Sequence, residues 1–185
     1  MTVRIVATDD QLDLIKERID IAITIGTSPA TTLVRQHLAD WQNVLVAAPS
    51  YLKTRGTPRT ASDLAGQDFL VLPHWHHAAD ALTGPGGERY RLSAAPRVVS
   101  NNQLTIRQLA LAGCGLSLHV VPEIVDELAS GRLVHVLPEW SLPTLSVDAL
   151  MLPRAKQPSK VRAALAAIPT SLGGARGYAA RRARR

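Results

Sequence analysis

A chain of 185 residues is long enough for one ordinary core or for two small units, and a hydrophobic fraction of 46% excludes an intrinsically disordered polymer. Aromatic residues make up 4%, so aliphatic side chains must fill the interior. The net charge of +6 invites a nucleic-acid reading until it is located: the last thirteen residues, "GGARGYAARRARR", hold five arginines and no acid, which leaves +1 for residues 1–172. A neutral body with a basic tail offers a polyanion a low-affinity, salt-dependent contact and no more.

Met1 leads straight into "TVRIVATDD", which has no basic segment followed by an apolar one. No apolar stretch approaches the ~18 residues of a membrane span. Cys114 is the single cysteine and cannot pair within the chain. The expectation is a reducing, cytoplasmic setting without a membrane partner.

In chain order, "VRIVAT" predicts a short strand with Val3, Ile5 and Ala7 on one face, and "DDQLDLIKERI" a helix with Leu12, Ile15 and Ile19 along one side. Asp9 and Asp10 suit that helix's N-terminus. "DIAITIG" completes a strand–helix–strand unit within 26 residues, which implies parallel pairing. "NVLVAAP" is a further strand. "YLKTRGTPRTASDLAG" reads as a proline-marked turn and then a helical turn, with Thr60 and Asp63 at capping-box spacing.

"QDFLVLP" is a strand, "HWHHAADALTGPGG" a loop, and "ERYRLS" and "PRVVS" are strands. "NNQLTIRQLALAG" predicts a helix capped at Asn101 or Asn102, burying Leu104 and Leu111 and stopping at Gly113. "GLSLHVV" is a strand reached by a glycine turn, "PEIVDELASG" a short helix, and "RLVHVL" and "TLSVDALMLP" are strands. "QPSKVRAALAAI" closes as a helix with Val161, Leu165 and Ile168 on one face. Parallel units are expected to dominate.

Catalytic motifs do not emerge. His74, His76 and His77 in "HWHH" lack the third or fourth ligand, the CxxC or the HExxH that a zinc site needs, so no metal or other cofactor is implied. Cys114 lies between two glycines with His119 five residues along a strand, too far for a nucleophile–base pair. "GCG" precedes a strand instead of opening a helix, so it is no phosphate loop. What remains is a set of hydroxyls, amides and an indole at predicted strand ends and helix starts, suited to orienting a modest ligand: Thr8, Thr27, the "HWHH" loop, Asn101 and Asn102.

Four segments in one order, "DLIKERIDIAITIG", "LVAAPSYLKTRGTPRTASDLAGQDFLVL", "LALAGCGLSLHVVPEIVDELASGRLVHVLPEW" and "VDALMLPRAKQPSKVRAAL", resemble the effector-binding domain of LysR-type transcriptional regulators, from about Val3 to Ile168. The resemblance implies an α/β, two-lobed fold like type 2 periplasmic binding proteins, with two crossover segments near Asn43–Val46 and Ser146–Leu150. The first lobe would hold residues 1–44 and 147–168, the second 45–146, and 169–185 would be a basic flexible tail. It further implies a small effector in the inter-lobe cleft, contacted by Thr8, Thr27, Trp75, Asn101 and Asn102, with Pro122 at the floor. Effector binding would shift lobe packing and so alter how an oligomer presents its DNA-binding heads.

The family's N-terminal winged helix-turn-helix and linker helix have no counterpart in the sequence, and neither does the domain's own initial strand and helix ahead of "VRIV". The expectation is therefore a truncated regulator whose partners are a small effector and a homo-oligomer or full-length regulator, with DNA reached only through the missing head or weakly by the arginine tail. Two alternatives stay open. A stand-alone small-molecule-binding protein of the periplasmic type would carry an export signal, and a small-molecule enzyme would need a convergent acid–base or nucleophile set.

Overall fold

The computed structural model describes residues 2–9, 13–26, 32–73, 82–91, 96–153 and 158–172. The chain divides into two compact units, Met1–Trp41 with Leu145–Arg185, and Gln42–Thr144.

The first unit is built on a three-stranded antiparallel sheet. Strand β1 (Ala22–Ile25) and strand β2 (Val34–Trp41) flank β10 (Leu145–Met151), in the order β1-β10-β2. Six of the seven β10 residues are buried because the strand has a neighbour on each side. Helix α4 (Ser159–Leu172) packs on β2, and its Val161 and Leu165 join Ala149 and Met151 in a small apolar cluster. The Asp148 carboxylate is buried in this sheet, 3.1 Å from Ser146 Oγ, 3.4 Å from His37 Nδ1 and 3.7 Å from Arg35 Nη1. The β2–β10 register shifts at Val147/Asp148, a bulge of the kind that re-aims a side chain, here at His37.

The second unit carries a five-stranded mixed sheet in the order β7-β4-β8-β3-β9. Its members are β3 (Asn43–Ala47), β4 (Phe69–Val71), β7 (Pro96–Val99), β8 (Leu116–Val120) and β9 (Val134–His135). Strand β4 runs parallel to β7 and β8, whereas β3 is antiparallel to β8 and β9. All residues of β3 and β8 are buried. Leu45, Leu116 and Leu118 face one side, in a cluster with Tyr51 and Leu52 of helix α1 (Pro49–Arg55) and with Leu64. Each such leucine removed from water contributes about 1.5–3 kcal/mol. Register places Val44 opposite His119 and Val46 opposite Ser117, on the other side of the sheet, where helix α2 (Gln103–Leu111) packs. A short hairpin, β5 (Leu82–Thr83) and β6 (Arg89–Tyr90), and helix α3 (Val125–Ser130) complete the unit.

Two glycines are fixed by close approach. A Cβ on Gly113, at φ +77°, would meet Ser50 Oγ at 2.5 Å, and one on Gly115 would meet the Asp68 carbonyl oxygen at 2.5 Å. The "GCG" stretch therefore serves strand entry, as expected. The Thr60–Asp63 capping box forms: Asp63 Oδ2 accepts from the Arg59 and Thr60 backbone N–H groups, both at 2.9 Å. Those two hydrogen bonds hold the Asp63 carboxyl below the ordinary aspartate range.

Several expectations need correction. "VRIVAT" forms no strand: residues 2–8 are irregular and Val3, Ile5 and Val6 are 64%, 84% and 52% exposed, because an alternating pattern becomes a strand only beside a partner ladder. The helix over "DDQLDLIKERI" is, in its described part, a single turn. Asp13 Oδ1 accepts from Ile15 N–H at 3.0 Å and Lys16 N–H at 3.2 Å, and Arg18 at φ +53° ends the coil. Asp13 thus caps that described turn, Asp10 lies outside the described residues, and Ile15 is exposed. Consequently β1 pairs antiparallel with β10, and antiparallel pairings outnumber parallel ones among the described strands. The start of "YLKTRGTPRTASDLAG" is helical before its proline-marked turn: Tyr51–Arg55 belong to helix α1, which has Pro49 in its first turn. Strand β2, "VRQHLADW", was not anticipated: its polar, half-exposed residues mark an edge strand.

Candidate functional site

Of the residues expected to meet a ligand, Thr27 and Trp75 lie outside the described residues, as do His74, His76 and His77. Thr8 is exposed on the irregular segment of the first unit. Asn101, Asn102 and Pro122 all belong to the second unit, and the structure places the segments that carry them side by side.

Asn102 is the N-cap of α2, its Oδ1 accepting from Thr105 N–H at 2.9 Å and Thr105 Oγ1 at 3.1 Å. Ser100 Oγ in turn accepts from Asn102 N–H at 3.2 Å. The cap therefore fixes an exposed Asn101–Asn102 pair at the positive end of a nine-residue helix. The helix rolls differently from expectation: Ile106 and Ala110 are buried, while Leu104 is 64% exposed. Pro122 is half-buried in a single 3-10 turn, Val121–Glu123, that follows β8 directly.

A polar network joins the two segments. Gln103, the first residue of α2, donates from Nε2 to the Leu118 carbonyl at 3.2 Å and to Glu123 Oε2 at 3.3 Å, and lies 2.8 Å from His119 Nδ1. His119 Nε2 is 3.0 Å from Ser117 Oγ. Leu118 O and the Glu123 carboxylate accept only, so they fix the orientation of the Gln103 amide. Gln103 Nε2 and Ser117 Oγ thus bracket the two ring nitrogens of His119. Gln103, Ser117, His119 and Glu123 were not singled out from sequence. The available signal was a serine and a histidine two apart in the otherwise apolar "GLSLHVV".

Ser117, His119 and Glu123 line up like a hydrolytic triad, with His119 Nδ1 3.5 Å from Glu123 Oε2. Ser117 is 1% and His119 0% exposed, however, so a substrate carbonyl has no route to Oγ in this arrangement. Their chemistry here is orientation. Nearby, Asn43 at the start of β3 is 2% exposed, and both polar atoms of its amide lack partners among the described residues. Among the described residues no cluster of histidine, cysteine and carboxylate side chains is arranged to hold a metal.

A second tie lies behind α2. The Glu127 carboxylate, 3% exposed, accepts from Arg107 of α2 and, at 3.0 Å, from Arg132. Burial works to raise its pKa, but the Arg107 hydrogen bond, its own backbone N–H and the two guanidinium charges outweigh that and hold the carboxyl below the ordinary range.

Two α/β units, the second inserted whole into the first in sequence, are the fold of the periplasmic-binding-protein kind. The chain belongs to the LysR substrate binding domain family, which matches residues 1–172. It is 33% identical over 176 residues to the HTH-type transcriptional regulator PtxR of Pseudomonas aeruginosa, covering 92% of this chain and 55% of that protein. To the HTH-type transcriptional regulator DmlR of Escherichia coli it is 30% identical over 156 residues, covering 83% of this chain and 50% of that one. The chain thus spans about half the length of the curated relatives it matches. Among solved structures it resembles the regulatory domain of CrgA from Neisseria meningitidis, with a TM-score of 0.74 and 25% identity, over 86% of this chain and 78% of that one. It also resembles the full-length Vibrio cholerae virulence activator AphB, with a TM-score of 0.69 and 27% identity, over 84% and 52%. These relatives are regulators by name: two HTH-type transcriptional regulators and a virulence activator. Among the described residues no helix is long and apolar enough to cross a membrane.

Proposed function

We propose that this chain is the part of a LysR-type regulator that senses a small metabolite, with Thr8, Thr27, Trp75, Asn101, Asn102 and Pro122 as the contacting residues. The family match over residues 1–172 carries this reading. The capped Asn101–Asn102 corner, tied to the turn that holds Pro122, supports it locally. Amides and helix-start N–H groups suit a carboxylate or amide on the effector. In the whole protein the effector biases the packing of an oligomer and so its grip on DNA, which places the work in the cytoplasm. The chain's partners are then a second copy or a full-length regulator, and the arginine tail, outside the described residues, adds salt-sensitive contact to any polyanion.

The test is differential scanning fluorimetry of the 185-residue chain against a set of small carboxylates and amides. A compound that raises the melting temperature with dose, and does so far less in Thr8→Ala, Thr27→Ala and Asn101→Ala, is the expected result. Consumption of the compound, lost in the same variants, would replace the sensor reading with an enzyme.

A further inference from the structure

We infer that His119 is a positioning residue for the effector site: through Gln103 it holds the first turn of α2, with Asn101 and Asn102, against the turn that carries Pro122. Its functional meaning rests on the sensor reading above, but its mechanics do not.

The geometry of the network carries the inference. His119 is wholly buried on the face of β8 that α2 covers, between Ser117 on its own strand and Gln103 on the helix. Gln103 has two amide hydrogens and three acceptors around them: Leu118 O, His119 Nδ1 and Glu123 Oε2. The shortest of these contacts, at 2.8 Å, is the one to His119. One side chain therefore anchors the helix start both to the central strand β8 and to the turn that leaves it. Ser117 braces the far side of the ring, its Oγ 3.0 Å from Nε2, so that Nδ1 faces Gln103. An apolar side chain at 119 would fill the space but remove the shortest of the three contacts and the helix's tie to the buried ring, leaving Leu118 O at 3.2 Å and Glu123 Oε2 at 3.3 Å. The corner presenting Asn101 and Asn102 would then lose its register with Pro122. Small displacements of orienting groups are costly in a binding site, which makes this buried pair a determinant of effector affinity without contact to the effector.

The experiment is residue-resolved amide hydrogen exchange by NMR on the whole 185-residue chain, with no effector added. The reporters are the N–H groups of Thr105, bonded to Asn102 Oδ1, and of Ile106, bonded to Asn102 O. Asparagine at 119 can place its amide oxygen where Nδ1 stood, whereas glutamine reaches the Nε2 position. The expected result is exchange at Thr105 and Ile106 faster by about fivefold or more in His119→Leu and His119→Gln, with His119→Asn close to wild type, the size set by loss of one buried hydrogen bond. Amides of β10, in the other unit, should stay unchanged. Unaltered protection in His119→Leu, equal loss in all three variants, or glutamine rescuing as well as asparagine would overturn the inference. If His119→Leu does not fold, Gln103→Met removes the same donor from a half-buried position and carries the same expectation. A loosened first turn together with a failed effector screen would fault the sensor reading and leave the positioning role intact.

Discussion

Glu127→Gln keeps the shape of a buried side chain and removes its charge. The wild-type carboxylate is 3% exposed and is shared by Arg107, 28% exposed, and Arg132, 58% exposed. Removing one partner from a fully buried ion pair costs about 3–5 kcal/mol. Here both guanidinium groups keep access to water and glutamine still accepts one hydrogen bond, so the expected loss is about 1–2 kcal/mol. With a urea slope of about 1–3 kcal/mol per molar, the midpoint of unfolding should fall by roughly 0.5–1 M. The pH dependence has a fixed sign. The folded pKa lies below the ordinary glutamate value of about 4.3, so the contribution is fully present well above that value and disappears as pH falls through the folded pKa. The gap between wild type and Glu127→Gln should therefore be constant near neutrality and close as the medium is acidified from about pH 5 toward pH 3. Equal urea midpoints at pH 7, or a gap that widens in acid, would refute the role assigned to this carboxylate.

Three further outcomes are expected. Gly115→Ala places a Cβ 2.5 Å from the Asp68 carbonyl, against backbone that cannot yield without breaking the β4–β8 pairing, and should cost about 2 kcal/mol by urea melts. Gly66→Ala, with nothing within 4 Å, should be neutral and serves as its control. Asn102→Ala removes the cap of α2 and should lower stability by about 1 kcal/mol, with Asn102→Asp retaining most of it, as read by thermal melts. Asp148→Ala removes a buried carboxylate that lies against Arg35, His37 and Ser146. It should cost about 2 kcal/mol, with amide exchange accelerated in β1, β2 and β10 while β3 and β8 stay protected.

The elements legible in the sequence were those whose side chains are buried on both faces or whose ends carry their own chemistry. "NVLVA" and "LSLHV" are continuous runs because the sheet is covered on both sides, and Asn102 and the Thr60–Asp63 pair announce helix starts through local hydrogen bonds. "VRIVAT" and "VRQHLADW" misled in opposite directions. The first has strand propensity but no ladder among the described strands, the second a ladder without apolar alternation, and pairing is a property of the neighbour. The roll of α2 was hidden because "NNQLTIRQLALAG" offers apolar residues to more than one face: Ile106 and Ala110 turn inward while Leu104 stays in solvent. For the site, the capped amide at Asn102 could be read from spacing. The Gln103–His119–Ser117 relay could not, since it joins Gln103 to His119, 16 positions apart, across a helix and a strand.

Strand β10 is the middle strand of its sheet and the last to be made. It meets β1 through contacts such as Thr24 to Asp148, 124 positions apart, whereas the inserted unit is contiguous from Gln42 to Thr144. Loop-closure entropy and vectorial synthesis act in the same direction: the inserted unit can finish folding while β1 and β2 still lack the strand that joins them. Their open ladders are then free to pair with another nascent chain until translation, at about 5–20 residues per second, delivers residues 145–151. Ribosome speed over that short stretch thereby becomes a determinant of the yield of native protein.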